Sequence, residues 1–118
     1  MKSAPFDYER AQHLEHALEL LSRHGADAKL IAGGQSLVPM MAMRLARPEL
    51  LVDIHRLEAL RTLELSADKL TLGAGVRQCE IERHHGIGQR LPLMHQALHW
   101  VGHPQTRNRG TVGGSLAY

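Results

Sequence analysis

A short apolar run, Ala28–Ala32, closes on the pair Gly33-Gly34 and reopens through Gln35-Ser36 into a second apolar stretch. A buried strand that ends on two glycines and restarts as a helix admits few geometries. Paired glycines let the backbone take positive φ and let another group approach the main chain closely. Successive backbone N–H groups left free in such a turn form a concavity suited to an anion. The pattern recurs at Gly110–Ala117, GTVGGSLA, again with two adjacent glycines and a serine. Two such cradles in 118 residues imply one large phosphate-bearing ligand held from two sides. For each taken alone, an ordinary glycine–serine turn is the competing reading.

The surrounding pattern is that of an α/β lobe. Ala11 to His24 reads as an amphipathic helix with Leu14, Ala17, Leu18 and Leu21 at helical spacing, stopped by Gly25. Ala28–Ala32 is a buried strand. Leu37 to Leu45 reads as a helix with Ser36 at the N-cap and Pro39 in its first turn. Leu50–Ile54 is a second buried strand. Beyond His55 the character changes. Thr62–Ser66 and Leu70–Gly73 suggest an antiparallel hairpin around Ala67-Asp68-Lys69, Gln78 to His85 a short helix, and Leu91 to Val101 a longer one. Gly102 to Gly110 reads as a polar loop, and Thr111–Tyr118 as the start of a strand or turn.

At the first glycine pair, free amides and the positive end of a helix dipole converge, so Ser36 can either cap the helix or donate to a phosphate oxygen. At the second, Arg107 and Arg109 precede the glycines, either to pair with phosphate or to make a solvated turn. Other signatures fail. Gly73-Ala74-Gly75 has Gln78 where a dinucleotide fingerprint needs its third glycine, and no P-loop sequence is present. His95, His99 and His103 are spaced by four, but Gly102 and Pro104 interrupt the helix before the third and no carboxylate or cysteine is near in sequence. No metal site and no catalytic residue is assigned.

Composition narrows the partners. A hydrophobic fraction of 43% supports a packed core, in one small domain or two thin lobes. Aromatics at 3% leave hardly any stacking platform for single strands, and a net charge of +2 with dispersed arginines argues against a nucleic-acid face. The lone cysteine, Cys79, excludes an internal disulfide and a cysteine-ligated iron–sulfur cluster built from this chain alone. No signal-peptide core or membrane-length apolar run is seen, so the expected location is cytoplasmic.

Ala28–Ile54 and Gly102–Ala117 closely resemble the FAD-binding medium subunit of the molybdenum hydroxylases, the family of aerobic carbon monoxide dehydrogenase and xanthine dehydrogenase. The resemblance extends from Pro5 to Tyr118. It implies an α+β fold, a two-lobed FAD-binding domain of the vanillyl-alcohol-oxidase (PCMH) type. Residues 1–54 would form the small α/β lobe, and residues 55–118 the first part of a larger, incomplete lobe with an antiparallel sheet. By resemblance, Ala32, Gly33, Gly34, Gln35 and Ser36 match the first loop that holds the FAD pyrophosphate. Thr111, Val112, Gly113, Gly114 and Ser115 match the second, and Lys29, Leu30 and Leu37 match positions near the adenosine end.

The implied role is that of an oxidoreductase flavoprotein subunit. Its FAD would take electrons from [2Fe–2S] clusters of a small subunit, downstream of a molybdenum–pterin large subunit, and pass them to an external acceptor. Ala42 and His55 stand where this family often has asparagine, Val76 where threonine is usual and Thr106 where isoleucine is common. Family members usually continue well past the second loop, so weak FAD binding at best is expected of these 118 residues alone. The alternative is a non-enzymatic truncated remnant or interaction module, in which an unpaired sheet edge would promote homo-oligomers or pairing with a partner chain.

Overall fold

Leu50–Asp53 (β3) is buried along its whole length, and this strand organises the first half of the chain. In the computed structural model, which describes every residue from Met1 to Tyr118, β3 lies between Asp7–Arg10 (β1) and Ala28–Ile31 (β2). All pairings are parallel. Asp7 and Ala28 both stand opposite Leu50, and Arg10 and Ile31 both opposite Asp53. The three carboxyl ends therefore share one edge. Parallel strands need crossovers, supplied here by helices Leu14–His24 (α1) and Leu37–Ala42 (α2). A central parallel strand is covered on both faces and reads as a continuous apolar run, as Leu50-Leu51-Val52 does.

These elements belong to one compact unit, Met1–Ala59. Its core includes Leu37, Met41 and Leu51 with Ile31 and Ala46 against them. Each large apolar side chain so buried contributes about 1.5–3 kcal/mol. α1 begins at Leu14 rather than Ala11, because His13 Nδ1 caps it by accepting the His16 amide at 3.1 Å. Ala11 instead joins the sheet edge, its amide donating to the Asp53 carbonyl at 2.9 Å. The helix buries Ala17 and Leu20, whereas Leu14 and Leu18 are exposed. β1 was not expected: its four residues are all exposed and carry no apolar alternation, so only backbone pairing defines it.

The second compact unit, Leu60–Tyr118, opens with the expected hairpin, Leu63–Leu65 (β4) against Leu70–Leu72 (β5). Leu63, Leu65, Leu70 and Leu72 alternate onto one face and cover Val76, Ile81 and Ile87, with Met94, Leu98 and Val112 completing that core. Five helices follow: Gln78–Arg83 (α3), His85–Arg90 (α4), Pro92–His99 (α5), Pro104–Arg109 (α6) and Val112–Ala117 (α7). Three of them correct the sequence reading. His84 ends α3, and its Nδ1 accepts the Ile87 amide at 3.1 Å to start α4. The segment expected as a polar loop is helix α6, begun by Pro104 at the position where a missing N–H is harmless. The segment expected as strand or turn is helix α7, capped by Thr111.

Candidate functional site

β2 delivers the chain to the carboxyl edge of its sheet, and Ala32–Ser36 turns there into α2. Gly34 has φ 75°, and a Cβ on it would approach Val38 Cγ2 at 3.2 Å. Only glycine takes that conformation without strain. Helical bonding begins with the Val38 amide donating to the Gly34 carbonyl at 3.0 Å. The amides of Gly33, Gly34, Gln35, Ser36 and Leu37 donate to no backbone carbonyl and no side chain. They form a run of free donors at the positive end of a helix, the arrangement that suits a phosphate.

Ser36 differs from the expectation in detail. Its backbone is already helical at φ −95°, ψ −45°, and its side chain makes no capping bond, so the hydroxyl is free to donate elsewhere. Gln35 Nε2 turns back to the Gly33 carbonyl at 3.4 Å. Leu37 is buried in the core cluster, which leaves only its amide for a ligand. Lys29 and Leu30 lie exposed on β2.

The second glycine motif is built differently. Val112 donates to the Val76 carbonyl at 2.9 Å, Gly113 to the Ala74 carbonyl at 2.8 Å, and Ser115 to the Thr111 carbonyl at 3.1 Å. Gly114 donates to Thr111 Oγ1 at 3.1 Å. The expected nest of free amides is therefore absent from residues 112–115. Gly113 serves packing instead: a Cβ on it would meet Ala74 Cβ at 2.7 Å and its carbonyl oxygen at 2.9 Å. What the motif can offer a ligand is hydroxyl chemistry, chiefly from Ser115, which is exposed.

Arg107 is also not a ligand arginine. It is 5% exposed, and its Nε donates to Glu82 Oε1 at 3.1 Å. Its Nη1 donates to the carbonyls of His99, Val101 and Gly102 at 3.1–3.4 Å, which satisfies the end of α5. Neither the phosphate partner nor the solvated turn expected from sequence describes it; Arg109 is exposed. His95 and His99 line a hollow of about 250 Å³ with Glu82, Gln96 and Trp100. No group of three or more histidine, cysteine or acidic residues is placed to hold a metal ion.

One cluster at the glycine-loop edge escaped the sequence reading. Asp53, at the carboxyl end of β3, is buried and accepts from the Tyr8 hydroxyl, from the His55 amide at 2.9 Å and, 2.6 Å away, faces His55 Nδ1. Burial works to raise the Asp53 pKa, but the hydrogen bonds from Tyr8 and His55 outweigh it and hold the carboxyl below its ordinary 3.8. Bonding to Asp53 in turn raises the Tyr8 phenol. The next residue, Ile54, donates its amide to the Ile31 carbonyl at 3.0 Å, directly before the loop. An aspartate ending an apolar strand was the available signal; its partners, forty-five residues apart in Tyr8's case, were not legible.

Known proteins share this fold. Residues 4–118 match the family model described as the FAD binding domain in molybdopterin dehydrogenase. The chain belongs to this family. It is similar to the 6-hydroxypseudooxynicotine dehydrogenase complex subunit alpha of Paenarthrobacter nicotinovorans, 49% identical over all of this chain and 40% of that protein. It is similar to the caffeine dehydrogenase subunit beta of Pseudomonas sp. (strain CBB1), 40% identical over 98% of this chain and 39% of that protein. Among solved structures, carbon monoxide dehydrogenase from Hydrogenophaga pseudoflava aligns with a TM-score of 0.94 at 39% identity, covering 99% of this chain and 41% of that one.

The FAD-binding domain thus has the α+β fold that the resemblance implied. The chain spans about 40% of the length of the curated relatives it matches. None of its helices is long and apolar enough to cross a membrane.

Proposed function

We propose that this FAD-binding domain is part of the flavin component of a molybdenum hydroxylase, and that Ala32–Ser36 holds the FAD pyrophosphate. The observation that carries this reading is the run of five unengaged amides from Gly33 to Leu37 around a left-handed Gly34. Such a row of donors, fixed before the ligand arrives, neutralises a diphosphate without reorganisation. Of Thr111, Val112, Gly113, Gly114 and Ser115, the group offered to a phosphate is the exposed Ser115 hydroxyl, because the amides of residues 112–115 are engaged. Lys29 and Leu30 are the side chains offered to the adenosine end, with Leu37 contributing its amide alone.

The chemistry FAD supplies when bound is electron transfer between [2Fe–2S] clusters of one partner subunit and an external acceptor. The substrate would be oxidised at a molybdenum–pterin centre in another subunit, in the cytoplasm. The protein's own part is to bind and orient the cofactor. Relatives described as a complex subunit alpha and a dehydrogenase subunit beta support a multi-subunit assembly. A scaffold remnant without flavin is the weaker reading, because the first loop keeps both its left-handed glycine and its free donors.

The test is a flavin-fluorescence titration of the full-length gene product. Stoichiometric FAD binding that is lost in Gly34→Val is expected. Binding unaffected by that substitution would overturn the assignment of the loop. Co-purification with molybdenum and iron–sulfur subunits tests the proposed partners.

A further inference from the structure

We propose that His55 is a further FAD-binding residue: with Nδ1 bonded to Asp53, its outward Nε2 takes a proton from solvent as the diphosphate enters beside Gly33, and donates it to a phosphate oxygen. The proposal rests on the assignment of Ala32–Ser36 to FAD. It adds a charge to a pyrophosphate site otherwise made of neutral donors.

β2 and β3 run in register, with Ile31 opposite Asp53. The Ile54 amide extends that pairing to the Ile31 carbonyl at 3.0 Å. His55 and Gly33 each follow two residues beyond the last matched pair, on strands that neighbour each other at about 4.8 Å. Both therefore stand at the carboxyl edge, where open parallel sheets bind their ligands. Gly33 opens the row of unengaged amides there. Loop, strand and histidine all belong to the first compact unit.

Asp53 Oδ1 accepts from the His55 amide at 2.9 Å and meets His55 Nδ1 at 2.6 Å, so one carboxylate oxygen holds both backbone and ring. Against the effect of burial, the bonds from Tyr8 and His55 hold the Asp53 carboxyl below its ordinary value. Near neutrality it is ionised and has no proton to give, so Nδ1 carries the hydrogen of that bond. A reversed ring would set a carbon against the same oxygen. Nε2 is left on the far side of the ring with no partner in this chain, on a side chain 32% exposed.

A diphosphate brought to this edge meets the negative charge of Asp53. A proton on Nε2 offsets that charge and supplies a donor, and an arriving anion favours the charged imidazole. The other groups around the cluster keep their charge near neutrality. Arg10 and Arg56 are arginines, always cationic, and bonding to Asp53 raises the Tyr8 phenol above its ordinary 10.0. Histidine is the side chain suited to gain a proton in that range.

FAD affinity of the full-length gene product, measured by flavin fluorescence between about pH 6 and pH 8.5, tests this. His55→Asn keeps an N–H for Asp53 but removes Nε2. Wild-type affinity is expected to weaken roughly tenfold toward the alkaline end, with the variant at that weaker level throughout. Calorimetry of the wild type at about pH 8, in buffers of different ionisation enthalpy, reads the same event as net proton uptake on binding. His55→Asn is expected to abolish that uptake. No uptake by the wild type, uptake that survives in the variant, or weaker binding by the variant with the pH slope intact would each overturn the proposal. If Gly34→Val leaves FAD binding unaffected, the loop assignment fails and this inference with it. If Gly34→Val abolishes binding while His55→Asn matches wild type at every pH, the inference alone fails.

Discussion

Arg107 donates to Glu82 at 3.1 Å from a position almost sealed from solvent, while its other arm gathers the carbonyl of His99, which ends α5, and those of Val101 and Gly102 just beyond it. One guanidinium thus joins α3, the end of α5 and α6. Sequence places it three residues before the second glycine motif, where it looks like a phosphate ligand. Its planar fork is instead used internally, to satisfy acceptors on α3 and at the end of α5.

Removing it leaves Glu82 without its guanidinium partner and the carbonyls of His99, Val101 and Gly102 without their Arg107 donor. Arg107→Ala is expected to destabilise the protein by about 3 kcal/mol or more, the usual cost of breaking a buried pair from one side. Arg107→Lys recovers only part of this, since an ammonium cannot reproduce the fork. Denaturant unfolding of the apo-protein measures both; a loss confined to FAD affinity would contradict the structural role.

Asp53 sets an acid limit on the first unit. Its folded pKa lies below the ordinary carboxylate value, so the fold binds its proton less readily than the unfolded chain does. The stability it contributes is therefore present above about pH 4 and lost as pH falls through the depressed folded value. Asp53→Asn is expected to be less stable than wild type by about 1–3 kcal/mol near neutrality. That gap should narrow below about pH 4, where Asp53 of the unfolded wild-type chain takes up its proton more readily than the folded one does. Urea midpoints of the two proteins from pH 6 down to pH 3 test it, and a gap that widens toward acid would refute it.

Gly34→Ala combines two effects. An L-residue at φ 75° is strained by about 1–2 kcal/mol, and the new Cβ presses on Val38 Cγ2 at 3.2 Å. If the loop relaxes to relieve this, its row of amides loses alignment. FAD affinity should fall at least tenfold while the apo-protein stays folded, as circular dichroism and flavin titration on one sample would establish.

The adjacent glycines of the second motif are not equivalent. Gly113→Ala drives a methyl into Ala74, 2.7 Å from its Cβ, and should cost about 1–3 kcal/mol from overpacking. On Gly114 a Cβ meets only Thr111 Oγ1, at 3.0 Å, and this helical site gains from losing glycine. Gly114→Ala is expected to stay within about 1 kcal/mol of wild type, the two small effects opposing each other. Equal losses in the two variants, read by thermal unfolding, would contradict the packing described here.

The elements legible beforehand were those whose signals are local. The Leu50–Asp53 run, the leucine hairpin and the strand-to-helix turn at Gly33-Gly34 each carry their pattern within a few residues. β1 was missed because Asp7–Arg10 is held only by hydrogen bonds to a strand forty-three residues away. α7 was missed because two glycines argue against a helix, whereas Thr111 capping Gly114 and the contact of Gly113 with Ala74 favour one. α6 had a readable signal, a proline in its first turn, obscured by a polar sequence without an apolar stripe.

The sequence by itself determined the family, through its resemblance over the whole chain, and the turn of the first loop, because a glycine pair between strand and helix dictates its own backbone. Only the tertiary structure decided what the second pair is for. Whether the amides of Val112 and Gly113 face a ligand or another carbonyl depends on Val76 and Ala74, which approach from another part of the chain. A backbone donor bonds to whatever acceptor folding brings to it, and no local motif states which one that is.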